Sequence, residues 1–282
     1  MKNVIVALLT LYLTSGGSWA QQDVLSQPVF DVARGQKILL SEALPLLKAT
    51  RVILVGEHHG NQSHHRAQLR VVQALVQAGV RVAIGLEMFR RDSQEALDRW
   101  VAGETEEAAF QKIYYDNWNF PWPAYSPFFE YARRRQIPMI GLNISRAITQ
   151  QVAQEGFESL SPAQKGQLSE VVCRVDQEYM QYIKNAFGSH AHGQLNFNYF
   201  CEAQMVWDNV MAVNALAYLK THPETVVVIL TGTGHARKGA IPRQIRQRSD
   251  VPYAVILPET PGIIEATTVS LNDADFILLD LK

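Results

Sequence analysis

The chain has 282 residues, 47 % of them hydrophobic, with 26 Lys and Arg against 27 Asp and Glu and a formal net charge of −1. That is enough apolar material for a sizeable core, and a near-neutral balance with scattered basic residues speaks against a nucleic-acid binder. Only Arg133-Arg134-Arg135 and the group Arg243, Arg246 and Arg248 cluster, and short runs of that kind are ordinarily a solvated helix face.

In chain order, Met1-Lys2-Asn3 is followed by an apolar stretch from Val4 to Leu13 and a small-x-small end, Ser18-Trp19-Ala20. This predicts a secretory signal peptide over residues 1–20, and hence a periplasmic or secreted protein. The apolar core is too short to span a bilayer, and no Cys follows it to carry a lipid anchor. Residues 21–282 are expected to form a single α/β domain. Apolar runs bounded by Gly, Pro or Asn recur at Val52–Gly56, Val82–Leu86, Pro138–Leu142, Val226–Leu230, Tyr253–Leu257 and Phe276–Leu281. Most lack period-two alternation, as strands buried on both faces do.

Between the early runs lie helical patterns. Ser63 is expected to cap a helix with the stripe His65, Leu69, Val72 and Val76, closed by Gly79. Ser93–Trp100, Glu107–Ile113 and Pro127–Gln136 read as further helices, and Asn117–Pro127 as an aromatic loop that its prolines limit to extended and turn conformations. That loop either lines a slot for a flat apolar ligand or, as is commoner, forms a core lid over the sheet. Strand–helix alternation predicts a mostly parallel sheet flanked by helices. From about residue 144 to 219 the rhythm gives way to helices, expected over Arg146–Gly156, from Ser161-Pro162, over Asp176–Ala186 and over Asn198–Leu219: a helical insertion after the third strand. Glu265–Ser270 and Asp275–Leu281 read as a closing strand pair. Cys173 and Cys201 are expected to pair in an oxidising compartment, worth about 3 kcal/mol in the chain-entropy model; the alternative is two buried free thiols.

Ligands of open α/β sheets sit outside the carboxyl ends of the strands. Here those ends supply Glu57 and His58, then Glu87, then Asn143, then Thr231, Gly232 and His235. Two carboxylates with several imidazoles at one edge can hold a divalent cation, with Glu57, His58, His59, His65, Glu87 and His235 as donors, or can work as general acid and base. Each residue taken singly could as well be a helix cap or a satisfied core histidine. Gln204 and Asp208 share a helix face, and a half-buried Asp needs a partner such as that edge. The insertion carries Tyr179, Tyr182, His190 and His192, and both tyrosine oxygen and imidazole nitrogen ligate haem iron; spacing alone does not choose between haem, a stray transition metal and nothing.

Gly56-Glu57-x-His59 with His65, Leu86-Glu87-Met88-Phe89, Trp118 with Tyr125-x-Pro127, Asn143-x-x-Arg146, Ala203-Gln204-x-x-Trp207-Asp208-x-x-Met211-Ala212 and Gly232-x-Gly234-His235-Ala236 occur in this order. Together they resemble the ChaN-type haem-binding proteins of the Tiki, TraB and erythromycin-esterase superfamily, over nearly the whole chain after the signal peptide. The resemblance implies an α/β core with a helical insertion. It also implies a homodimer that sandwiches haem, with tyrosine on the iron and histidine assisting from the other subunit, and a role in haem or iron uptake with a receptor or transporter as partner. Tyr182 and His190, then Tyr179, His192 and Tyr125, are the residues expected to face haem. Hydrolytic members of the superfamily use the positions filled here by Glu57, His59, Glu87 and His235, which makes a metal-dependent peptide or ester hydrolase the alternative. Many of these relatives are lipoproteins, and this chain departs from them in lacking the lipidation Cys.

Overall fold

Each apolar run forms a strand, and two four-residue strands precede them. In the computed structural model, which describes residues 24–168, 170–187 and 196–281, the strands are β1 (Pro28–Asp31), β2 (Gln36–Leu39), β3 (Val52–Glu57), β4 (Val82–Arg90), β5 (Met139–Asn143), β6 (Val226–Gly232), β7 (Tyr253–Pro258) and β8 (Phe276–Leu278). The expected signal peptide lies outside the described residues. The strands form one mixed, mostly parallel sheet in the order β2-β1-β8-β7-β3-β6-β4-β5, with β1 antiparallel to both β2 and β8.

Before β5 the chain makes helices α1 (Leu40–Lys48), α2 (Gln62–Gln77), α3 (Gln94–Val101), α4 (Glu107–Asn117) and α5 (Trp122–Arg135). Between β5 and β6 it makes α6 (Arg146–Glu155), α7 (Pro162–Gln167), α8 (Gln177–Phe187) and α9 (Phe197–Thr221), and after β6 the short α10 (Thr233–Ala236) and α11 (Ile241–Arg246). The helical insertion is therefore present where the rhythm of the sequence breaks. Successive side chains of a strand point to opposite faces, so the central strands feed two cores at once. Ile53, Val55, Ile84, Leu86, Val228 and Leu230 pack against α2 and the aromatic α4–α5 layer. Val52, Leu54, Ala83, Val227 and Ile229 pack against Met211, Ala212, Ala215 and Leu219 of α9.

Several local expectations are corrected. Asn61, not Ser63, caps α2: its side-chain oxygen accepts from the N–H groups of Ser63 and His64 at 3.0 and 3.3 Å. The aromatic segment is not extended throughout, because α5 already begins at Trp122. Pro123 falls in the first turn of that helix, where a missing N–H costs no intrahelical bond. Glu265–Ser270 is a turn rather than a strand, with the Thr268 and Val269 N–H groups donating to the Glu265 carbonyl, both at 3.0 Å. The neighbours of β8 are instead β7 and β1. Cys173 and Cys201 are free thiols and not a disulfide. The two sit in one apolar cluster with Tyr179, Ile183 and Met205, and the Cys173 Sγ is turned to the Glu202 carbonyl at 3.8 Å. Burial pushes these thiols up to about 12 and about 11.

One glycine has a steric duty beside the site. A Cβ on Gly141 of β5 would run into the Arg90 backbone carbonyl, with the Arg90 carbonyl carbon at 2.9 Å. Only a residue without a side chain lets β4 bulge there, between Leu86 and Arg90, while still pairing with β5.

Candidate functional site

The strands β3, β6, β4 and β5 lie side by side and run parallel, so their carboxyl ends share one edge. Gly56 stands opposite Thr231 and Glu57 opposite Gly232, which joins the two motifs that lie farthest apart in the sequence.

Glu57 is the hub on the β3 side. Its Oε1 accepts from the His59 Nδ1 at 2.6 Å and from the Tyr125 hydroxyl at 2.8 Å, and its Oε2 is in direct contact with the His65 Nε2. The His65 Nδ1 donates to the Ala124 carbonyl at 3.0 Å, which fixes the ring. Burial opposes the Glu57 charge, but the hydrogen bonds from His59 and His65 outweigh it and hold the carboxyl down at about 2. Burial likewise opposes a charge on His59, yet the bond to Glu57 and the Glu87 charge raise its pKa above the usual imidazole value. Some 31 % of the His59 side chain reaches solvent, and its ring stands edge-on to Trp118 at 5.0 Å.

Glu87 leaves β4 where pairing with β6 ends. Its Oε2 accepts from the Thr231 hydroxyl and the Gly232 N–H, both at 2.6 Å, and its Oε1 lies 3.8 Å from the His59 Nε2. Gly232 keeps this corner open, since a Cβ there would come within 3.1 Å of the His59 ring.

On the far side of β6, Asp208 of α9 supplies the partner its burial demands. Its Oδ1 accepts from the His235 Nδ1 at 2.7 Å and its Oδ2 from the Tyr179 hydroxyl at 2.6 Å. Burial pushes the Asp208 carboxyl up despite His235, while burial of His235 is overcome by Asp208 and its pKa is raised. Two carboxylate–imidazole pairs therefore stand close enough to Glu87 for its charge to act on both imidazoles.

A cleft of about 410 Å³ opens above this edge. The aromatic segment contributes Trp118 and Phe120, the insertion Gln204 and Trp207, and the sheet edge His59, Glu87, Asn143 and His235, with Arg90 and Arg146 also on the walls. Aromatic faces with a few convergent polar groups are the usual make-up of a small-molecule site.

A family model described as haem-binding uptake, Tiki superfamily, ChaN matches residues 43–245. The chain belongs to this family of haem-binding uptake proteins. Among solved structures, it is similar to ChaN of Campylobacter jejuni, in a structure of cofacial haem binding, with 20 % identity, a TM-score of 0.67 and coverage of 89 % of this chain and 95 % of that one. It is also similar to a mutant erythromycin esterase in its open conformation, at 13 % identity and a TM-score of 0.48, covering 82 % and 76 %. No curated relative matches the chain.

Of the residues singled out for this ChaN-family chain, Glu57, His59, Glu87 and His235 do converge at the sheet edge. His65 backs Glu57 from within the core and does not line the cleft. His58 turns aside: its backbone N–H donates to the His64 Nδ1 at 3.1 Å, and burial together with the His59 charge lowers its imidazole pKa. His64, missed in the sequence, is held down to about 4 by burial and by His58. Among the described residues no group of three or more His, Cys, Asp or Glu side chains is gathered to hold a metal ion; the donors face one another as carboxylate–imidazole pairs.

Of the expected haem ligands, Tyr125, Tyr179 and Tyr182 do not line the cleft. Tyr125 bonds to Glu57 and Tyr179 to Asp208, both fully buried, and the Tyr182 hydroxyl donates to the Gly234 carbonyl. Burial pushes all three phenols above their usual value. His190 and His192 lie outside the described residues.

Proposed function

We propose that this chain is an exported haem-binding protein of haem or iron uptake, which receives haem in the cleft between the sheet edge and the helical insertion. The match of most of the chain to a haem-binding uptake family carries this reading. The lining of the cleft fits it: Trp118, Phe120 and Trp207 offer aromatic surface to a flat macrocycle, with the polar groups of the sheet edge beside them. Bound haem would supply an iron open to ligation by oxygen or nitrogen. Tyr182 and His190 are the ligands we assign first, then Tyr179, His192 and Tyr125. None of the three tyrosines lines the cleft, so each must leave its present hydrogen bond, turn towards the cleft and lose its proton to serve. In this reading two copies of this chain close on haem as a homodimer and pass it to or from a membrane receptor or transporter. Among the described residues no helix is long and apolar enough to cross a membrane.

Titration of the purified protein with haemin tests the reading. A Soret shift that saturates is expected, reduced in Tyr182→Phe and His190→Ala and weakened by about tenfold in Trp207→Ala, where an aromatic face is lost. Absence of any Soret shift with the unaltered protein would overturn it.

One observation favours a second reading, a hydrolase of peptide or ester bonds. The Glu57–His59 and Asp208–His235 pairs stand near Glu87 at the lip of one cleft, which is an arrangement for moving protons. Among the described residues no group of three or more donors is gathered for a divalent metal, so in this reading the proton-transfer roles fall to His59 and His235. Hydrolysis of a chromogenic ester that disappears in His59→Asn would support this reading, and turnover that survives in that variant would remove it.

A further inference from the structure

Of the charged groups on the cleft walls, His59, Glu87, Arg90 and His235 are engaged, while Asp116 and Arg146 enter no ion pair among the described residues. Arg90 is spent on the Asp92 carboxylate at 3.0 Å and the Asp116 carbonyl at 2.7 Å. His59 is held by Glu57, His235 by Asp208, and Glu87 by Thr231 and Gly232. Arg146 differs from them. It stands exposed in the first turn of α6, on the wall of the cleft, and its guanidinium enters no ion pair among the described residues.

Beside it is an anomaly in the buried polar groups. Gln204 is 4 % exposed and lines the same cleft, yet its carboxamide oxygen is buried with no hydrogen-bond partner among the described residues. Buried polar atoms are satisfied in nearly all folded proteins, and an exception calls for an explanation such as a ligand. The helices carrying the two residues pack directly, Ile148 and Val152 of α6 against Ala203 and Val206 of α9, so both residues belong to one side of the opening. A half-turn of the carboxamide exchanges its oxygen and its N–H2 and alters no packing.

We infer that Arg146 and Gln204 form the subsite that takes a carboxylate of the bound ligand. This rests on the haem reading of the cleft and adds an orientation to it. The macrocycle lies against Trp118, Phe120 and Trp207, and one of its carboxylate side chains points to the Arg146 fork and the Gln204 amide. A guanidinium matches a carboxylate in shape as well as charge, whereas an uncharged ester at the same place accepts more weakly and gains nothing from the cation.

Comparing haemin with its dimethyl ester on the full processed chain tests this. The free acid is expected to bind about tenfold more tightly, a preference that shrinks as salt is raised, in line with one charge-assisted contact near solvent. Arg146→Ala and Gln204→Leu should each bring the free-acid affinity down towards that of the diester, and Arg146→Lys should restore part of the gap. Arg146 is exposed, so its replacement does not put folding at stake. Equal binding of acid and diester by the unaltered protein, or a preference that survives in Arg146→Ala, would overturn the subsite and leave the haem reading standing. A Soret response to neither porphyrin would overturn both.

Discussion

Glu57→Gln is expected to destabilise the protein by about 3–5 kcal/mol, the usual cost of removing one partner from a buried charge pair. For a chain of this size that lowers the melting temperature by about 10 °C. The Glu57 side chain is 1 % exposed and faces the donors of His59, His65 and Tyr125 at once. Glutamine keeps the shape and removes the charge, leaving those donors to compete for one neutral oxygen and face an amide N–H2. The pH dependence carries the sign. Because the folded value of Glu57 is depressed from 4.5 to about 2, its contribution is present above the unfolded value and is lost as pH falls from about 4.5 towards 2. His59 is shifted upward from 6.5, so its contribution is complete below that value and is lost as pH rises through its folded pKa. Thermal melts across pH should show an acid limb that Glu57→Gln flattens. A variant within about 1 kcal/mol of the parent would mean that no paired charge resides there.

Asp208→Ala should cost a similar amount, about 3–5 kcal/mol, for the same reason. Asp208 is 1 % exposed and bonds both to the sheet edge, through His235, and to α8, through Tyr179. Its loss leaves a buried phenol and a buried imidazole without their acceptor. The variant is expected to exchange the amides of residues 177–187 faster than the parent, with denaturant melts giving the stability change. Asp208→Asn separates charge from shape. With Asp208 the His235 imidazole titrates above 6.5; with Asn in its place burial is no longer opposed by that charge, and the titration followed by NMR should move down. An imidazole that titrates at the parent value in Asp208→Asn would show that the pair is not charged.

The centre of the fold was legible because its strands are buried on both faces and read as unbroken apolar runs. Val52–Glu57 and Val226–Gly232 could hardly be anything else, and their exits predicted a shared edge that the pairing of Gly56 with Thr231 supplies. Asp208 was legible too, as a carboxylate on an apolar helix face in want of a cation. What stayed hidden has physical causes. β1 and β2 are four residues each, with Gln36 and Lys37 exposed, so they carry little apolar signal. Glu265–Ser270 carries the β-branched residues of a strand, but hydrogen bonds local to Glu265 close it into a turn. The pairing of Glu57 with His65 depends on the angle at which α2 leaves the strand, and no spacing encodes that. Nor does a sequence show that the tyrosines of the insertion are turned inward to Asp208 and Gly234.

The place of β6 has a consequence for how the chain reaches this state. β6 lies between β3 and β4, yet it is made after both, after β5 and after the whole insertion. Until it arrives, β3 and β4 have no common neighbour, and the contact of Thr233 with Glu57 must close a loop of 176 residues. Closure entropy of that kind comes due before any reward, so folding should be slow and should finish in one late step when this strand drops into the slot. The halves of the site cannot meet sooner, and a nascent chain of this topology holds its site unformed until β6 has been made.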